Sequence, residues 1–67
     1  MPSIERVPMK IRKIRRERKL TQAQLAERAG VTREYIARLE AGRYDPSLTV
    51  IERLAKALKV KPAELLK

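Results

Sequence analysis

The stretch from Thr21 to Gly42, TQAQLAERAGVTREYIARLEAG, carries two short helical patterns separated by a Gly-Val-Thr tripeptide. Thr21 followed by Gln24 has the spacing of a capping box, in which the threonine oxygen accepts an orphan N–H of the first turn and the glutamine side chain reaches back to the cap. This predicts a helix from Gln22, with Leu25, Ala26 and Ala29 on one face and an end at Gly30, a residue free to take the left-handed backbone of a tight turn. Thr32 is the next N-cap candidate. Ile36, Leu39 and the small Ala37 then mark a second short helix through about Ala41, closed by Gly42. With only three residues between them the two rods must abut. Ala26 falls where they cross, and Leu25, Val31, Ile36 and Leu39 are the pegs that fasten the pair to a core.

Working outward, Ile11 and Ile14 recur at helical spacing among basic residues and Leu20 closes the segment, which predicts a first helix from near Met9 to near Lys19. Residues 1–8 contain Pro2 and Pro8 and show no period, so they read as an N-terminal arm ahead of a domain over 9–67. Downstream, Arg43, Tyr44, Asp45 and Pro46 read as a loop, because proline keeps the residue before it out of helical geometry. Ser47 can cap a fourth helix on which Leu48, Ile51, Leu54, Ala55 and Leu58 form one apolar stripe. Pro62 suits the first position of a fifth, short helix with Leu65 and Leu66 as its apolar content. No strand pattern competes, and the expected fold is all-α with five helices.

Composition narrows the chemistry. A chain of 67 residues allows one domain with a thin core. It has no cysteine and no histidine, which removes disulfides, thiolate ligation and the commonest catalytic base. Its eight carboxylates show no metal-ligand spacing, and two glycines cannot build a phosphate-cradling loop, so no enzyme, cofactor, metal or small-molecule substrate is expected. No apolar run approaches a membrane span and no signal-peptide pattern opens the chain, so a cytoplasmic, nucleoid-associated protein is expected. The net charge of +9 favours a polyanionic partner. Residues 1–20 hold eight basic side chains against Glu5 and Glu17, a balance of +6, so the excess sits on the first helix. The paired stacking aromatics expected of single-strand readers are lacking, which disfavours RNA.

From about Ile11 to Leu66 the chain resembles the lambda-repressor-like, Cro-type helix-turn-helix family, also called the xenobiotic response element family. The marks are Leu20-Thr21-Gln22, Leu25-Ala26, Gly30-Val31-Thr32, Tyr35-Ile36, Leu39-Glu40, Gly42, Pro46-Ser47-Leu48 and Leu54-Ala55-Lys56-Ala57-Leu58, in order and at family spacing. The resemblance implies a transcriptional regulator, expected to be a repressor, that binds double-stranded DNA with the helix over 33–41 in the major groove. Arg33, Glu34 and Arg38 would then face base edges: arginine suits guanine O6 and N7, and glutamate either suits the cytosine amino group or orients Arg38 one turn on. Gln22 would anchor a phosphate at a helix N-terminus, and Thr32, Arg43, Tyr44, Arg12 and Arg18 would add backbone contacts. Tyr35 either reaches the DNA or packs. Arg15 and Glu40 match positions that the family commonly joins as an internal ion pair.

Three positions depart from the family pattern. Lys19 and Lys59 stand where many relatives have glycine at helix ends, and Lys61 replaces a serine or threonine cap, so the last helix is expected to be weakly held. That region commonly makes the dimer contact in relatives, and a homodimer is the expected assembly. The alternative reading is a protein-interaction module of the same fold, such as an antitoxin bound to a toxin or a bridging coactivator. Its mark would be an apolar exposed stripe on the third helix in place of arginines.

Overall fold

The computed structural model describes residues 6–66. Five helices follow in order: α1 (Arg6–Glu17), α2 (Gln22–Ala29), α3 (Arg33–Glu40), α4 (Leu48–Leu58) and α5 (Pro62–Leu66), with no strand among the described residues. Three N-termini are closed by hydroxyls. Thr21 Oγ1 accepts the Gln24 N–H at 3.0 Å while Gln24 Oε1 accepts the Thr21 N–H at 2.8 Å, a complete capping box. Thr32 Oγ1 accepts from Tyr35 N–H at 3.0 Å, and Ser47 Oγ from Val50 N–H at 3.2 Å.

Four helices end in the same way. After α2, Gly30 is left-handed (φ 72°), its N–H bonds to Glu27 O and the next N–H, of Val31, bonds back to Ala26 O, the Schellman pair of bonds. The pattern repeats at Lys19 (φ 58°) with Leu20 N–H on Arg15 O, at Gly42 (φ 77°) with Arg43 N–H on Arg38 O, and at Lys59 (φ 59°) with Val60 N–H on Ala55 O. The two lysines occupy a conformation in which a Cβ is crowded by its own backbone, at a cost of about 1 kcal/mol each. The geometry of the turn outweighs the preference of the residue, because each bond pair satisfies carbonyls that the helix end would leave orphaned.

One core joins all five helices. Ile11, Leu25, Ile36, Leu39, Leu54, Leu58 and Leu65 are sealed from solvent, with Ala26 and Ala55 allowing close approach of the backbones. Two expectations about its edges are corrected. The domain begins before Met9: α1 starts at Arg6, Val7 is only 2% exposed, and Pro8 lies in the first turn, where the N–H that proline lacks would have no helical partner in any case. Residues 1–5 of the expected arm lie outside the described residues. Leu48 and Leu66, read as core, are 63% and 38% exposed. Leu48 stands at the margin of the α4 stripe in its first turn, and Ala57 and half-buried Val50 fill the opposite margin instead. Leu66 follows buried Leu65 on a single-turn helix, so only one of the two can face inward. Leu65, wholly enclosed, holds α5 in place although Lys61 gives it no side-chain cap.

Candidate nucleic-acid interface

The α2–α3 pair presents one outward surface. On α3 the buried Ile36 and Leu39 define the inner side, and at roughly 100° per residue Arg33, Glu34 and Arg38 fall within the opposite arc together with Ala37 and Ala41. All three charged residues are exposed, and the two alanines keep the middle of the arc low. Among the described residues Arg33 and Glu34 have no hydrogen-bonded side-chain partner. Thr32 caps α3, its hydroxyl oxygen accepting from the Tyr35 N–H while its O–H hydrogen remains a donor.

Arg38 is differently placed. Its Nη1 donates to the Tyr44 hydroxyl at 2.8 Å, and the guanidinium carbon lies 5.9 Å from the centre of the Tyr44 ring. Tyr44 in turn stacks on Tyr35, with ring centres 5.3 Å apart and planes inclined by 26°. Tyr35 is half-buried and rests on the core, so both tyrosines of the chain join one stack that ends in the arginine. The hydrogen bond to Tyr44, with a smaller electrostatic contribution from the same residue, raises the Arg38 pKa above its ordinary value. The hydrogen-bond partner of Arg38 lies six residues ahead, while Glu34, one of whose two expected roles was to orient Arg38 at i, i+4, acts on it through charge. Loop geometry, rather than helical spacing, brings Tyr44 there.

Behind this surface Arg15 of α1 grips Glu40 at the end of α3 through two parallel bonds, Nε to Oε2 at 2.6 Å and Nη2 to Oε1 at 2.9 Å. Its Nη1 donates to the Leu20 carbonyl at 2.8 Å, and the side chains of the pair are only 10% and 4% exposed. Gln22 joins them: Nε2 donates to Glu40 Oε1 at 3.2 Å, which leaves one amide hydrogen and its oxygen for another partner. The residue expected to hold phosphate is thus itself held by the ion pair. Arg12, Arg16, Gln22, Ala37 and Ala41 line an open hollow of ≈ 260 Å³ over Arg15 and Glu40, where α1, the start of α2 and the outer face of α3 meet. Arg16 was not singled out by sequence reasoning. The signal was present, since it follows Arg12 at i+4 on the same face of α1.

Two backbone-contact candidates lie elsewhere. Arg18 Nε donates to the Leu58 carbonyl at 3.2 Å, placing a cation beside an orphan carbonyl at the end of α4. Arg43 is exposed in the α3–α4 loop beside Tyr44. No group of three or more metal-ligating side chains occurs among the described residues, and no helix among them is long and apolar enough to cross a membrane.

With this geometry in hand, comparison with known proteins is specific. A profile described as helix-turn-helix matches residues 11–65. The immunity repressor protein of Bacillus phage phi105 is 51% identical over 55 residues, covering 82% of this chain and 38% of that repressor's own length. An uncharacterized HTH-type transcriptional regulator of Methanothermobacter thermautotrophicus is 58% identical over 48 residues, 72% of this chain and 70% of the relative. Among solved structures, the DNA-binding domain of the P22 c2 repressor superimposes with a TM-score of 0.90 at 31% identity, over 97% of this chain and 86% of that one.

Proposed function

The chain belongs to the lambda-repressor-like helix-turn-helix family, and from that premise we propose that it is a sequence-specific, double-stranded-DNA-binding repressor of transcription that lays α3 in the major groove. The observation that carries the reading is the outer arc of α3, where Arg33 and Arg38 flank a low alanine floor and no apolar side chain larger than alanine is offered. A protein-binding module would expose aliphatic or aromatic anchors on that arc. The relatives compared carry the names of repressors and transcriptional regulators, so the antitoxin alternative is not adopted.

Roles follow from placement. Arg33 and Arg38 read guanines, each with two parallel donors, and Glu34, without a hydrogen-bonded partner among the described residues, accepts from a cytosine amino group or excludes the wrong base. Arg12, Arg16 and the free donor of Gln22 line the hollow where α2 begins, a place for one phosphate, and Arg43 holds another across the loop. The protein acts in the cytoplasm on the nucleoid as a homodimer on two half-sites about one helical turn apart. Its affinity falls with salt, with a log–log slope of about 0.9 per phosphate neutralised.

Selection of bound sites from random duplex DNA tests this, repeated with Arg33→Ala. The substitution should erase preference at one base pair and leave the rest of the site intact. Uniform weakening across all sequences would mean that Arg33 holds phosphate and does not read bases.

A further inference from the structure

Tyr44 is tied into the reading surface at two points: its ring stacks on Tyr35 and its hydroxyl oxygen accepts from Arg38. We propose that Tyr44 is a positioning residue for base recognition, holding the Arg38 guanidinium in the orientation in which it meets a guanine. The proposal rests on the assignment of Arg38 as a base reader.

The physical case begins with entropy. A free arginine on a helix surface samples many rotamers and must surrender them when it makes two parallel bonds to a base. Arg38 has already given much of this up, because one nitrogen is bonded to the Tyr44 oxygen at 2.8 Å, with the guanidinium carbon 5.9 Å from the ring centre. Tyr44 could not restrain anything if it were itself loose on its loop. It is backed by Tyr35, which rests on the core, and the loop is bounded by left-handed Gly42 and by Pro46. A continuous line of contact therefore runs from the core through two rings to the guanidinium.

The donor count is also suitable. Of the five N–H groups of Arg38, the hydroxyl uses one on Nη1, which leaves four: Nε–H, both hydrogens of Nη2 and the second hydrogen of Nη1. Nε and Nη2 form the side edge of the guanidinium, the pair of donors that matches O6 and N7 of guanine. The hydroxyl thus takes the nitrogen that the base does not need.

The test is Tyr44→Phe, which keeps the ring and its stack and deletes only the oxygen; at 37% exposure the position tolerates it without loss of the fold, checked by thermal melting. Competition binding is measured on the selected site and on its single-base variants, for the wild type, Tyr44→Phe, Arg38→Ala and the double variant. Loss of one positioning hydrogen bond should lower discrimination about three- to tenfold at the single base pair that Arg38→Ala affects, and nowhere else. On the Arg38→Ala background Tyr44→Phe should have no further effect. A selective loss with Arg38→Ala and none with Tyr44→Phe overturns the positioning role alone. Equal weakening of every sequence by Tyr44→Phe, persisting in the double variant, also overturns it and makes Tyr44 a phosphate contact. If Arg38→Ala leaves all base preferences unchanged, the base-reading assignment itself fails and this proposal falls with it.

Discussion

Replacement of Arg15 by methionine is the most severe single change that the structure allows at a charged position. The substitution removes both bonds to Glu40, at 2.6 and 2.9 Å, and the bond to the Leu20 carbonyl. Glu40, with a side chain only 4% exposed, is left with the 3.2 Å bond from Gln22 as its one side-chain hydrogen bond among the described residues. An enclosed carboxylate deprived of its cation costs about 3–5 kcal/mol. A single-core domain of this size rarely has more than about 3–5 kcal/mol in total. The loss therefore matches the whole stability, and Arg15→Met should be largely unfolded at 25 °C in the absence of DNA. Far-UV circular dichroism with urea titration measures this directly. The double change Arg15→Met, Glu40→Leu should recover most of the fold, because two apolar side chains of similar volume replace the pair without stranding a charge. A loss below about 0.5 kcal/mol for Arg15→Met would refute the argument, since it would show that solvent screens the pair as it does at a surface.

Two further substitutions probe the backbone and the packing. Lys59→Gly and Lys19→Gly each remove a side chain from a left-handed residue, so each should stabilise by about 1 kcal/mol and raise the melting temperature by roughly 4–8 °C; an unchanged or lower value would show that these backbones relax at no cost. Ala26→Leu, at a residue 3% exposed where α2 passes α3, should destabilise by about 1–3 kcal/mol in chemical denaturation and weaken DNA binding by prying the two helices apart. Wild-type behaviour in both assays would place the closest approach of the helices elsewhere.

Much of the architecture was written in short-range signals. Thr21, Thr32 and Ser47 announce helix starts because each hydroxyl bonds an N–H three residues ahead, and Gly30 and Gly42 announce ends because the left-handed turn is made within one residue. These events involve neighbours in the chain, so a linear text contains them in full. The α2–α3 pair and the outward placement of Arg33, Glu34 and Arg38 follow from the same local periodicity. The lysines at 19 and 59 show its limit: their residue type argues against the left-handed state, and the helix ends around them impose it.

What only the packed molecule decided is which distant groups meet and which surfaces are covered. Arg18 finds the carbonyl of Leu58 across 40 residues of sequence, Gln22 finds Glu40 across 18, and Arg38 finds Tyr44 through the curl of a loop. Helical periodicity assigned Leu48 to the core along with Ile51, yet one is 63% exposed and the other 5%, and Val7, which extends the Ile11 and Ile14 spacing by four residues across Pro8, is sealed inside. Periodicity states the direction in which a side chain leaves its own helix; whether another helix stands in that direction depends on how all five are docked. An arginine's donors likewise go to the nearest acceptor in space, and nearness in space is a property of the assembled fold that spacing along the chain does not contain.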